Sequence, residues 1–189
     1  MFAACAGATV GEVVDRQVAG LSGETGLVTL TVGGNDVGFA DVMTTCTVGS
    51  DRGCERAVER AGGVAREELP SRLAGLFAAV AERAPGAKVV VLGYPRLFEA
   101  RSCAGGLSAA KRAAVNGGAD LLAEVTAAAA AAAGVAFVDV REAFAGHGIC
   151  GADPWVRAVT APIGDSYHPN RLGQMGYLRA LESVAPSGS

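Results

Sequence analysis

The sequence predicts an α/β protein in which a parallel sheet is covered by helices. Two observations predict it: three short, β-branched apolar runs recur along the chain, and segments with apolar residues at helical spacing separate them. Such alternation is typical of a parallel sheet with helices on both faces and right-handed crossovers. The 189 residues contain no repeat or linker, so we expect one domain spanning residues 1–189.

The predicted strands are apolar on both faces, as buried parallel strands are. The first two are followed by Gly33 and Gly93, which indicate loops. The three runs are residues 27–32, 87–92 and 135–140.

The predicted helices lie between and around these strands. Residues 10–19 form the first, and residues 55–84 the second, interrupted near Gly62-Gly63 and Pro70. Ser108 is expected to cap a helix that runs to residue 133 and is stopped by Gly134. A last helix is expected after Pro169.

Composition excludes some classes of function. The net charge of −3 argues against a nucleic-acid partner, which would need a basic surface. No apolar run is long enough to span a bilayer, and the alanine run 127–133 is expected to be a buried helix. No signal-peptide pattern follows Met1. The five cysteines form no CxxC pair and accompany only two histidines, too few for an obvious Cys/His zinc site.

Cys46 and Cys54 bracket a polar segment, residues 47–53, which predicts a disulfide-closed loop and an oxidising compartment. Scattered buried thiols are the alternative.

Two polar segments are candidates for chemistry, because ligands of open α/β sheets bind at the carboxyl ends of strands. Gly33-Gly34-Asn35-Asp36 follows the first strand, where Asn35 can present an amide donor or the four residues can form a plain turn. Asp165 and His168 precede the last helix. A carboxylate so placed can orient an imidazole as a general base, although a surface histidine beside a helix-capping Asp is the alternative.

These two segments together resemble blocks III and V of the SGNH (GDSL) hydrolases, and block V here reads Asp165-x-x-His168-Pro169. Further segments resemble the secreted actinobacterial branch of that family. They are residues 5–9, 37–41, 93–98, 144–150 and 168–173.

The resemblance implies a three-layer α/β/α, flavodoxin-like fold and a secreted, monomeric carboxylic-ester hydrolase, acting on lipid or short-chain esters through a serine acyl-enzyme without a cofactor. It implies that His168 is the general base, that Asp165 orients it, and that Asn35 and the backbone N–H of Gly7 form the oxyanion hole. It also implies two disulfides, Cys46–Cys54 and Cys103–Cys150, and leaves Cys5 unpaired.

The serine nucleophile of that family belongs to block I, Gly-Asp-Ser, ahead of block II. Block II begins near Cys5 here, so we expect the chain to be truncated and to lack the block I serine, the first strand and most of the second. Gly164-Asp165-Ser166 spells the block I motif, but it lies before a helix and not after the first strand. Ser166 is therefore expected to be a coincidence.

Two alternatives remain open from the sequence. One is a deacetylase of acetylated polysaccharide, which many members of the family resemble. The other is an inactive remnant or a non-catalytic binding module, which the expected loss of the serine favours.

Overall fold

The computed structural model describes residues 2–103 and 106–184. Its strands form one parallel sheet in the order β1-β2-β3, with β2 in the centre. The strands are β1 (Leu27–Leu30), β2 (Lys88–Leu92) and β3 (Ala136–Val138). The helices are α1 (Val10–Arg16), α2 (Phe39–Val48), α3 (Asp51–Glu67), α4 (Leu69–Arg83), α5 (Ala109–Ala132) and α6 (Arg171–Glu182), with short 3₁₀ turns at Val18–Gly20 and Ile163–Asp165.

The sheet is buried from both sides, as predicted. Val90 and Leu92 of β2 belong to one apolar cluster, which also holds Phe144 and parts of α2 and α6. Val91 belongs to a second cluster, built largely by α1, α4 and β1. Alternate residues of a strand point to opposite faces, so this division places helices on both faces. None of the helices described is long and apolar enough to cross a membrane.

The third strand is shorter than the predicted residues 135–140. It ends at Val138 because the chain turns at Asp139, whose carboxylate accepts hydrogen bonds from the backbone N–H and the guanidinium of Arg141. Arg141 also pairs with Asp120 of α5 at 2.9 Å, so this turn is fixed to a neighbouring helix.

The predicted interruption at Gly62-Gly63 is wrong, because α3 runs through both glycines and the helices divide at Glu68. Gly62 instead allows close helix packing: a Cβ there would lie 3.0 Å from Cδ2 of Leu121 on α5. Pro70 lies in the first turn of α4, where a missing N–H breaks no helical hydrogen bond.

The polar loop predicted between Cys46 and Cys54 is also wrong, although the disulfide itself is present. The half-cystines lie on α2 and α3, and only Gly49 and Ser50 separate these helices. Ser50 explains the early start of α3, because its side chain accepts a hydrogen bond from the N–H of Gly53 at 3.1 Å. The second disulfide, Cys103–Cys150, is present as well, and Cys5 is exposed and unpaired within the described residues.

Replacing Cys46 and Cys54 together with serine is expected to lower the free energy of unfolding by about 2–3 kcal/mol, since the bond closes a short loop between two packed helices. Urea unfolding followed by circular dichroism measures the change. Cys5→Ser is the matched control and should leave the midpoint in place, because the Cys5 side chain is exposed. An unchanged midpoint in the double variant would show that α2 and α3 hold together without the bond.

Candidate active site

The loop after β1 and the segment before α1 meet at the carboxyl end of the sheet. The side-chain amide of Asn35 donates to the carbonyl oxygen of Ala8 at 3.1 Å. Gly7 lies beside Ala8 with a φ of +82°, a conformation that favours glycine. Both Gly7 and Asn35 are exposed and line a cavity of about 1170 Å³.

His168 lines the same cavity, and its ring is held by the backbone rather than by a carboxylate. Its Nδ1 lies 3.0 Å from the carbonyl oxygen of Ser166. A carbonyl only accepts hydrogen bonds, so Nδ1 carries a proton, and in the neutral imidazole Nε2 keeps its lone pair. That is the protonation pattern of a histidine ready to accept a proton.

The structure does not bring the Asp165 carboxylate to the imidazole of His168. Asp165 ends a 3₁₀ turn, and its Oδ2 accepts from Nη1 of Arg157 at 2.9 Å. The chain then turns at Tyr167, which has a φ of +64°. The backbone N–H of Arg157 donates to the carbonyl oxygen of His168 at 3.0 Å, so Asp165 is bonded to the segment that holds His168.

A further set of contacts supports the loop that contains His168. The N–H of Asn170 donates to the carbonyl oxygen of Trp155 at 2.8 Å, and the Asn170 side chain caps α6. The Trp155 ring packs face to face on His147, with centroids 3.7 Å apart. His147 lies in a loop, as predicted, and its Nδ1 is 2.8 Å from the carbonyl oxygen of Asp153. The second histidine therefore has a packing role in the structure.

Tyr94 is a half-buried residue of the candidate site that sequence reasoning missed. Its hydroxyl oxygen accepts from the N–H of Gly34 at 3.4 Å and lines the same cavity. Burial raises the pKa of Tyr94 to about 12, so the phenol stays neutral at physiological pH. Its position directly after Gly93 at the carboxyl end of β2 was the available signal.

Ser166 is buried, and its hydroxyl is used within its own loop. Its Oγ accepts from the N–H of Thr160 at 3.0 Å and lies 3.4 Å from the carbonyl oxygen of the same residue. The two contacts fix the loop that precedes His168.

In a form of the protein that contains the nucleophilic serine, Ser166→Ala is expected to leave kcat/KM for ester hydrolysis within about twofold and to lower the free energy of unfolding by about 1 kcal/mol, the usual net value of a lost hydrogen bond. Kinetics on a nitrophenyl ester and urea unfolding measure the two effects. A complete loss of hydrolysis with an unchanged unfolding midpoint would identify Ser166 as the nucleophile and overturn the interpretation of Gly164-Asp165-Ser166 as a coincidence.

The part of the chain described here contains no group of three His, Cys, Asp or Glu side chains placed to bind a metal ion.

Comparison with known proteins gives consistent results. Residues 1–175 match the GDSL-like Lipase/Acylhydrolase family. The chain is 46% identical over 185 residues to a lipase of Streptomyces rimosus and 45% identical over 186 residues to Lipase 1 of Streptomyces coelicolor, and each match covers 97% of this chain and 69% of the relative.

The fold is also similar to solved structures. The phospholipase A1 of Streptomyces albidoflavus NA297 has a TM-score of 0.94 and 46% identity, covering 97% of this chain and 79% of that one. An extracellular lipase of Streptomyces rimosus has a TM-score of 0.94 and 45% identity, covering 97% and 80%.

Proposed function

The chain belongs to the GDSL-like lipase/acylhydrolase family, and on this premise we propose that it takes part in the hydrolysis of lipid esters through a serine acyl-enzyme, with His168 as the general base. The observation that carries the proposal is the 3.0 Å contact between His168 Nδ1 and the carbonyl oxygen of Ser166, beside a cavity that Asn35 and Gly7 also line. The contact leaves Nε2 available to accept a proton.

In the proposed reaction, a serine Oγ bonds to the ester carbonyl carbon while its proton passes to His168 Nε2. The negative oxygen of the tetrahedral intermediate accepts hydrogen bonds from the Asn35 side-chain amide and the Gly7 N–H. The intermediate collapses, the C–O bond to the alcohol breaks, and His168 returns the proton to the leaving alcohol. Water then attacks the acyl-enzyme with the same base, releasing the carboxylic acid and free serine.

We propose that the Ser166 carbonyl orients His168 and that Asp165 acts indirectly, through Arg157. The support is the bonding pattern: Asp165 is paired to Arg157, whose backbone N–H donates to His168. Asp165→Asn weakens that pairing without touching the imidazole, so its effect should be much smaller than that of removing His168.

We propose that the nucleophilic serine is not among the described residues. None of the described serines lines the cavity that His168 lines, and the Ser166 hydroxyl is bonded to Thr160. The relatives contain sequence beyond the shared region, since the match covers 69% of each.

The proposed substrates are lipid esters, because the relatives that the chain matches are named lipases and one similar structure is a phospholipase A1. Apolar side chains on the cavity wall, including Val42, Leu92 and Leu97, are compatible with an acyl chain. Hydrolysis rates across nitrophenyl esters of increasing acyl length, compared with release of acetate from acetylated xylan, distinguish a lipase from a polysaccharide deacetylase. A clear preference for the xylan would contradict the proposal.

The proposed location is extracellular, and the proposed active unit is a monomer. Two disulfides support an oxidising environment, and one of the solved neighbours is an extracellular lipase. His168, Asn35 and Gly7 all come from one chain, so the site needs no partner subunit to bring these groups together.

A fluorophosphonate probe, which reacts with activated serines, tests the assignment of the nucleophile. After labelling and proteolysis, mass spectrometry should find no probe on peptides from residues 2–103 and 106–184. A probe on Ser166 would contradict the assignment of the nucleophile. The second candidate function is a non-catalytic binding module, which the bonded Ser166 hydroxyl favours. A protein that binds a long-chain carboxylate, but shows neither probe labelling nor ester hydrolysis in any form, would be such a module.

A further inference from the structure

The carboxylate of Asp36 is almost fully buried, with 1% of its side chain exposed, yet the proposed reaction does not use it. Both of its oxygens accept from the backbone N–H of Val10, at 3.2 and 3.0 Å. Val10 is the first residue of α1, and its N–H has no partner within the helix. Asp36 therefore connects the loop after β1 to the start of α1.

The neighbouring residue makes a second connection between the same two segments. Asn35 bonds to the carbonyl oxygen of Ala8, and Asp36 bonds to the N–H of Val10. Two consecutive residues of the loop after β1 are therefore bonded to two residues near the start of α1. Ala8 closes a turn in which its N–H donates to the carbonyl oxygen of Cys5 at 3.3 Å. Gly7 lies inside this turn, so its position relative to Asn35 depends on both connections.

Arg72 of α4 fixes Asp36 from the other side. Its Nη1 lies 3.3 Å from Asp36 Oδ1, and its Nη2 bonds to Glu68 one helical turn earlier. A buried carboxylate is costly unless it is paired and hydrogen-bonded, and Asp36 has both kinds of partner. The arrangement gives the carboxylate one defined orientation, directed at the Val10 N–H.

We propose that Asp36 is a positioning residue that sets the distance between the Gly7 N–H and the Asn35 amide, the two oxyanion donors. The inference rests on the proposed function for its catalytic meaning. The structural part of the proposal can be tested without measuring hydrolysis. It states that, without the Asp36 carboxylate, the turn that contains Gly7 moves relative to Asn35.

The test is nuclear magnetic resonance on the ¹⁵N-labelled protein with three variants. Asp36→Ala removes the acceptor, Asp36→Asn keeps one acceptor oxygen, and Arg72→Met keeps the carboxylate but removes its cationic partner. Asp120→Ala is the matched control, because Asp120 is also a carboxylate paired with arginines, Arg96 and Arg141, in another part of the fold.

In Asp36→Ala, the Val10 N–H is expected to exchange with solvent about 10- to 100-fold faster relative to the Val91 N–H of β2, the loss expected for one hydrogen bond to a charged group. The Gly7 N–H and Asn35 side-chain resonances should move with it. Asp36→Asn should restore most of the Val10 protection and return both signals towards their original positions. Asp120→Ala should lower the melting temperature without moving them.

If the Gly7 and Asn35 signals lay at the same positions in Asp36→Ala and in Asp120→Ala, the proposal would be overturned. Asp36 would then contribute only to the stability of the fold. If Asp36→Ala does not fold, Arg72→Met decides: it should shift the same two signals in the same direction by a smaller amount, and unmoved signals would overturn the proposal. None of these measurements uses hydrolysis or probe labelling, so a failure of this proposal can be distinguished from a failure of the proposed function.

Discussion

Replacing His168 with alanine is expected to lower kcat/KM for ester hydrolysis about 10²- to 10⁴-fold, the usual contribution of a positioned general base. The imidazole is the only proton acceptor that the proposed mechanism uses, and its Nδ1 is already occupied by the carbonyl oxygen of Ser166. The measurement is steady-state kinetics on a nitrophenyl ester, in a form of the protein that contains the nucleophilic serine.

The chain supplies a matched control, because it has only two histidines. His147→Ala removes the other imidazole, which stacks on Trp155 and bonds to the Asp153 carbonyl oxygen. Its effect on kcat/KM should stay within about tenfold, since it acts only through packing behind the loop. Equal losses in the two variants would mean that the His168 effect is structural and that the proposed base is wrong.

Replacing Asn35 with alanine is expected to lower kcat about 10²- to 10³-fold with little change in KM. In the proposed mechanism, the amide donates to the oxygen that becomes negative in the tetrahedral intermediate, and that oxygen carries little charge in the bound ester. Asn35→Asp is the more stringent variant, because it keeps the size of the side chain but replaces the donor by an acceptor. It should be at least as inactive as the alanine variant.

Asn116→Ala provides the contrast for Asn35. Asn116 of α5 accepts from the backbone N–H groups of Leu97 and Phe98 and donates to the carbonyl oxygen of Phe98. Its loss should lower the free energy of unfolding by about 2–3 kcal/mol, because it leaves buried backbone groups without partners. If Asn116→Ala reduced kcat as much as Asn35→Ala, the oxyanion role of Asn35 would lose its support.

The sequence was informative where one local rule decides the structure. The strand cores, the Ser108 cap and the stop at Gly134, which has a φ of +67°, follow from apolar patterning and terminal residues, and the structure confirms them. The parallel sheet and both disulfides are likewise confirmed. The Cys46–Cys54 disulfide was indicated by the polar segment that the two cysteines bracket, with buried thiols as the alternative, whereas the Cys103–Cys150 disulfide followed from family resemblance alone.

The sequence was misleading where a tertiary contact decides. Gly62 has a poor helix propensity, but its missing side chain lets α3 pack against Leu121 of α5. Helix α2 was missed because Phe39–Val48 is rich in Thr and Val, and its stability depends on buried Met43 and Cys46. The Arg157–Asp165 pair joins residues eight apart across the loop between them, and no spacing rule indicates it. The positions of His168, Asn35 and Gly7 beside one cavity agree with the predicted roles, which the variants above test.

Trp155 gives the protein an optical reporter at a useful place. It is the single tryptophan of the chain, and its ring lies between the His147 imidazole and α6, where a Cβ on Gly176 would be 2.7 Å from Cζ3. Its carbonyl oxygen holds Asn170, two residues after His168. All tryptophan fluorescence of this chain therefore comes from a residue that is bonded to the loop containing His168. Changes in its intensity or wavelength during ligand binding or denaturation would follow that loop without any attached dye.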